Sequence, residues 1–144
     1  MRKGEGLVVT DYAKYQGFVT QTLEPKLKEL MDAREGLVED FDGYQHVQKF
    51  VDQCKAQSSP QMIRNLVDVG CGVMCQAEAV VSLTEMITLK VGLDTYVNLS
   101  YDDAAKTAKE CEVLIAKKLE QCDEEISNTV NDIEDVLATL AHLK

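Results

Sequence analysis

The sequence predicts a mainly α protein with a small β component: a long antiparallel coiled coil interrupted by two β-hairpins. Three observations carry that prediction. Residues 11–57 and 100–144 place seam residues in a strict alternation of fours and threes, the period of a coiled coil. Residues 60–99, between them, abandon that period for β-branched residues and turn formers. The two periodic stretches match in length, so one chain can fold back and zip one seam onto the other. The whole, residues 1–144, reads as one domain.

The first seam reads Leu23, Leu27, Leu30, Arg34, Leu37, Phe41, Tyr44, Gln48 and Val51. Charges fall between these positions. Pro25 either kinks this helix or sits in the first turn of one that begins near Thr22. Gly36 and Gly43 each weaken the helix by about 1 kcal/mol relative to Ala. The second seam reads Tyr101, Ala105, Ala108, Glu112, Ile115, Leu119, Cys122, Ile126, Thr129, Ile133, Val136, Leu140 and Leu143. Ser100 with Asp103 makes a start resembling a capping box, and neither Gly nor Pro occurs after Gly92. At about 1.5 Å per residue each helix would be about 65 Å long. If their bases meet near Gln57 and Tyr101, Glu112 lies near Gln48 and Arg34 near Asp123 and Glu124. Polar layers facing polar layers help to fix register.

The middle segment reads as four short strands, about Ile63–Val69, Val73–Val80, Glu85–Val91 and Thr95–Leu99. Val67, Val69, Cys71, Val73 and Cys75 alternate through the first turn, and Ile87, Leu89 and Val91 alternate in the third strand. Gly70, Gly72 and Gly92-Leu93-Asp94 supply the turns. Two hairpins cannot bury both their faces. With both helices committed to each other, Val67, Val69, Val73, Ile87, Leu89 and Val91 need a partner surface, and open strand edges invite one.

Composition narrows the function. The net charge of -10, without a basic patch, argues against direct nucleic-acid binding. No stretch is long and apolar enough to cross a membrane. The basic start Met1-Arg2-Lys3 lacks the apolar run of a secretory signal, so an intracellular location is expected. Cys54, Cys71, Cys75, Cys111 and Cys122 follow no disulfide spacing and fit reduced, half-buried small hydrophobes. Cys71 and Cys75 lack the further soft ligands that structural zinc wants, since His46 and His142 lie far away in sequence. No metal and no cofactor is expected.

One motif points elsewhere. Leu66-Val67-Asp68-Val69-Gly70-Cys71-Gly72 resembles the first motif of methyltransferases that bind S-adenosylmethionine in a doubly wound fold. That fold needs a parallel sheet with crossover helices of a dozen or more residues each. Residues 60–99 leave no room for one. No nucleophile, acid–base pair or phosphate loop appears. Glu39-Asp40, Asp102-Asp103 and Glu124-Glu125 are sequence neighbours that do not face each other on a helix, so they suit a solvated face rather than paired-carboxylate catalysis. The protein is not expected to be an enzyme.

The order helix, two hairpins, helix resembles the prefoldin alpha subunit family over nearly the whole chain. Val67-Asp68-Val69-Gly70-Cys71 and Val91-Gly92-Leu93-Asp94-Thr95-Tyr96 are similar to its two hairpin signatures. Ser100-Tyr101-Asp102-Asp103-Ala104-Ala105 is similar to the start of its second helix. Within the family the likeness is greatest to UXT-type prefoldin-like subunits, carried by Lys14-Tyr15, Phe18-Val19, Leu30-Met31-Asp32-Ala33-Arg34, Tyr44 and the Val-Asp-x-Gly-Cys string. Pro25, Gly36 and Gly43 depart from the family's unbroken first helix.

The resemblance implies a hetero-oligomeric, ATP-independent chaperone or co-chaperone. Hairpins of alpha-type subunits would pair into a β-barrel platform, with beta-type subunits completing the assembly. The coiled-coil tips would hold unfolded clients on the way to the cytosolic chaperonin. It also implies a cytoplasmic location and leaves a nuclear one open. A coiled-coil scaffold or transcription co-regulator without client binding is the alternative. The register brings Tyr12, Tyr15, Phe18 and Val19 close to Leu140 and Leu143. These six either close the seam or remain as an exposed, client-binding tip.

Overall fold

In a computed structural model the backbone of residues 5–57, 61–82 and 86–142 is described, with the side chains of 11–57, 62–82 and 86–142. Helix α1 (Glu5–Phe18) runs through a π-helical turn (Val19–Leu23) into α2 (Glu24–Ala56). Four strands follow: β1 (Gln61–Asp68), β2 (Met74–Val81), β3 (Ile87–Gly92) and β4 (Thr95–Leu99). Helix α3 (Tyr101–His142) ends the chain's described elements. The elements form two compact units, Met1–Asp40 with Ile115–Lys144, and Phe41–Leu114.

The first unit is an antiparallel helix pair. Val19, Leu23, Ile115, Cys122, Thr129 and Leu140 are buried along its seam. Arg34 takes a seam position but stays exposed, its Nε donating to Asp123 at 2.5 Å. That contact holds the guanidinium protonated even beyond its ordinary range, first through the hydrogen bond and then through the carboxylate's charge. The Cys122 thiol donates to the Leu30 carbonyl at 3.4 Å. Thr129 is buried without an unmet hydroxyl, because Oγ1 donates to the Glu125 carbonyl one turn back.

Pro25 neither breaks the helix nor begins it. The amide of Glu24 bonds the Val19 carbonyl, five residues back. In α geometry the proline ring would collide with the carbonyl of residue 21 and deny it a donor. The wider π-turn directly before Pro25 relieves the collision. It also takes up one residue. The buried seam steps from Val19 to Leu23 to Leu27 by two successive fours, where the heptad would allow only one.

In the second unit Val51, Cys54 and Tyr101 form a buried cluster, with Val47, Phe50, Val81 and Ala105 against it. Phe50 and Tyr101 stack with ring centroids 6.3 Å apart. Ala104 and Ala108 are fully buried, and their small side chains let the helices approach closely. Gln48 donates to Glu112, and Lys55 pairs with Asp102. Both pairings fit the antiparallel register. The start of α3 keeps half of a capping box: the Asp103 amide donates to Ser100 Oγ at 3.2 Å, while the Asp103 carboxylate accepts from Ser100 Oγ at 2.9 Å rather than from the Ser100 amide.

The strands make two separate antiparallel hairpins, β1 with β2 and β3 with β4. The first turn spans Val69 to Val73, with Gly70, Cys71 and Gly72 all at positive φ. The Val69 amide bonds the Val73 carbonyl, and the Gly70 amide bonds Asp68 Oδ1 at 2.8 Å. Asp68 therefore caps a hairpin turn. In a methyltransferase a helix would follow this glycine turn; here β2 returns alongside β1. Val69 and Val73 belong to the turn rather than to the strands. The second turn has Leu93 and Asp94 at φ 41° and 57°, a two-residue loop of the mirror-image kind that suits twisted strands. The expected start of the third strand at Glu85 lies outside the described residues.

Candidate functional site

Two surfaces merit functional reading: the end of the first unit where α1 meets the last turns of α3, and the hairpins of the second unit.

At the first, the six expected tip residues separate into two groups. Val19 and Leu140 are 4% and 7% exposed, so they close the seam. Tyr15 and Phe18 are 44% and 47% exposed. Together with Asp11, Lys14 and Val136 they line a groove of about 520 Å³. Tyr12 is half-buried, and Leu143 lies outside the described residues. Val136 was legible as a seam residue but not as a groove wall. The rotation introduced by the π-turn decides which aromatic faces outward, and its one trace in the sequence is the doubled step of four from Val19 through Leu23 to Leu27. Lys14 lies 3.8 Å from Asp11, an exposed pair at the rim that contributes little binding energy by itself.

At the second surface the hairpins are not alike. In the first, Met62, Leu66, Val67, Val69, Val73, Met74 and Val80 are all exposed. Cross-strand pairs Met62–Val80 and Leu66–Gln76 flank an Arg64–Glu78 ion pair of 2.8 Å on one face. Val67 pairs with Cys75 on the other. Met62, Leu66, Met74 and Val80 escaped the sequence reading because they lie off the single alternating row that it followed. In the second hairpin the expectation of an uncovered face needs correction. Leu89 is 5% exposed, and Ile87 and Val91 are half-buried. The Tyr44 hydroxyl, on α2, donates to the Lys90 carbonyl at 2.9 Å. Helix α2 thus reaches β3 through Tyr44. Val67, Val69 and Val73 keep their apolar surface free for a partner; Leu89 does not.

Among the cysteines, Cys54 and Cys122 are buried and Cys111 is half-buried, as small hydrophobes would be, but Cys71 and Cys75 are exposed at the first turn and on β2. Among the described residues no group of three or more His, Cys, Asp or Glu could hold a metal ion, and no helix is long and apolar enough to cross a membrane.

The sequence signature of the Prefoldin family (prefoldin subunit) matches residues 22–144. The chain belongs to the prefoldin family. Its fold is shared by a chain of the filamentous prefoldin from Methanocaldococcus jannaschii, seen by cryo-EM, which superposes with a TM-score of 0.60 at 18% identity, over 83% of this chain and 96% of that one. Among characterised relatives it is similar to a UXT homolog from Dictyostelium discoideum, 22% identical over 130 residues, which is 90% of this chain and 79% of the relative. Both likenesses agree with a UXT-like prefoldin subunit. Prefoldin subunits are non-enzymatic and assemble into oligomers with other prefoldin-type subunits.

Proposed function

We propose that this prefoldin subunit is an alpha-type arm of an ATP-independent chaperone, which holds apolar segments of unfolded or assembling proteins at its tip groove. The observation that carries the reading is the exposure of Tyr15 and Phe18 in one groove while Val19 and Leu140 are buried in the seam. Aromatic rings held at the end of a finished seam gain by covering their apolar faces with a client's side chains. They need neither nucleotide nor metal. The exposed apolar faces of the first hairpin would mount the arm on other alpha-type and beta-type subunits. Such an assembly works in the cytoplasm, with a nuclear pool for prefoldin-like complexes, and passes clients to the cytosolic chaperonin.

The test replaces Tyr15 and Phe18 with Ser in the assembled hetero-oligomer. Both side chains are half exposed, so helicity and assembly should persist. Suppression of the aggregation of a chemically unfolded client should fall several-fold. Unchanged suppression by the intact variant assembly would favour a scaffold or transcription co-regulator that binds no unfolded client.

A further inference from the structure

Midway along the first unit lies a second groove, of about 550 Å³, lined by Met31, Asp32, Arg34, Glu35, Val38, Asp123 and Ile126. Its origin is visible in the seam. Leu30 and Leu37 fill the neighbouring seam positions with apolar side chains, but the position between them holds Arg34. The guanidinium swings out to Asp123 instead of filling its layer. The recess that remains has Met31, Val38 and Ile126 as its apolar lining. Met31 is 57% exposed, a large apolar side chain mostly open to solvent.

Three properties define what would fit. Met31, Glu35 and Val38 lie at i, i+4 and i+7, one row along α2 that runs for about 10 Å at 1.5 Å per residue. Lys28 and Asp42 bound this row, so it offers two helical turns of contact. The walls are helices whose backbone groups bond internally, so no strand edge is offered, and recognition must go through side-chain rows. The charge is acidic. Arg34, the one base of the lining, is neutralised by Asp123, whereas Asp32 and Glu35 form no ion pair among the described residues. Beyond Lys118, α3 carries acids from Glu120 to Asp135 and neither Lys nor Arg before Lys144.

We propose that this groove receives a basic amphipathic helix of a partner protein. The helix packs as a third strand on the coiled coil. Its apolar row lies over Met31, Val38 and Ile126, and its Lys or Arg residues face Asp32 and Glu35. Nucleic acid is disfavoured by the same acidic field. The groove shares no lining residue with the tip, so a regulator docks without displacing a client.

The test uses the full chain in its purified hetero-oligomer. The probe is a fluorescent designed helix with Leu at i, i+4 and i+7 flanked by Lys, compared with a copy in which Glu replaces each Lys. Anisotropy should show saturable binding of the Lys helix alone, weakening with salt. The exposed-site double variant Met31→Gln, Glu35→Lys should weaken binding about tenfold. Tyr15→Ser, Phe18→Ser should leave it unchanged. The proposal is overturned if the Glu helix binds equally well, if neither helix saturates, if the groove variant binds normally, or if the tip variant abolishes binding. Client-aggregation assays on the same variants read the tip independently, so failure of one reading is distinguishable from failure of the other.

Discussion

Gln48 on α2 donates its side-chain amide to the carboxylate of Glu112 on α3, and both residues occupy seam positions. A polar pair in an otherwise apolar seam contributes register more than stability. Replacing Gln48 alone with Leu should destabilise the chain by about 1–3 kcal/mol, because the half-buried carboxylate loses its donor. Replacing both with Leu should recover most of that loss. A denaturation double-mutant cycle measures the coupling; additive losses would show that the pair does not act as a unit.

Gly36 and Gly43 stand in the interior of α2, and a Cβ built at either meets nothing within 4 Å. Ala at each site should therefore stabilise the helix by about 0.5–1 kcal/mol. Thermal unfolding of the single and double variants checks this, with near-additive gains expected.

Leu93 holds a positive φ of 41° with a fully exposed side chain. The conformation is costly for a branched side chain and ordinary for Asn. Leu93→Asn should raise the stability of the second hairpin by about 0.5–1 kcal/mol, read as slower amide exchange at Lys90 and Tyr96.

Asp94 donates no proton at neutral pH; it accepts from Lys90 Nζ at 2.9 Å, and that hydrogen bond, with the lysine's charge, holds its carboxyl below the usual carboxylate range. A folded-state value below the unfolded one stabilises at pH above the ordinary carboxylate range, and the effect is lost as pH falls through the folded value. The second turn should thus be insensitive to pH from 8 down to about 5 and loosen only below about pH 4. Exposure makes the effect small. Asp94→Asn should remove that acid dependence, followed by amide exchange at Thr95.

Much of this is legible in the sequence alone. Every described residue of the two seams except Arg34 is buried or half-buried, because a heptad is a repeated signal that local blemishes cannot erase. Gln48–Glu112 and Arg34–Asp123 were legible as facing pairs, since equal helix lengths leave little freedom in register. The tip was legible only as a set. Which of Tyr15, Phe18 and Val19 faces outward depends on the π-turn, a backbone compromise around one proline. The cover over Leu89 and the bond from Tyr44 to Lys90 escaped because they join residues far apart in sequence and follow no period.

The π-turn at Val19–Leu23 also makes the two sides of Pro25 unequal under deletion. Each residue of an α-helix advances the side chains by about 100°. Removing one residue between Lys26 and Val51 would swing everything upstream of the cut by that angle, turning Tyr15 and Val19 away from their partners on α3. Removing Thr20 together with a Pro25→Ala replacement would do the opposite: the surplus residue and the ring that requires it are both gone, the turn can close to ordinary α geometry, and the upstream stripe keeps its bearing. The chain thus carries one position of slack, at the foot of the segment that bears Tyr15 and Phe18. Lineages that lack a proline at this point would be expected to run one residue shorter there.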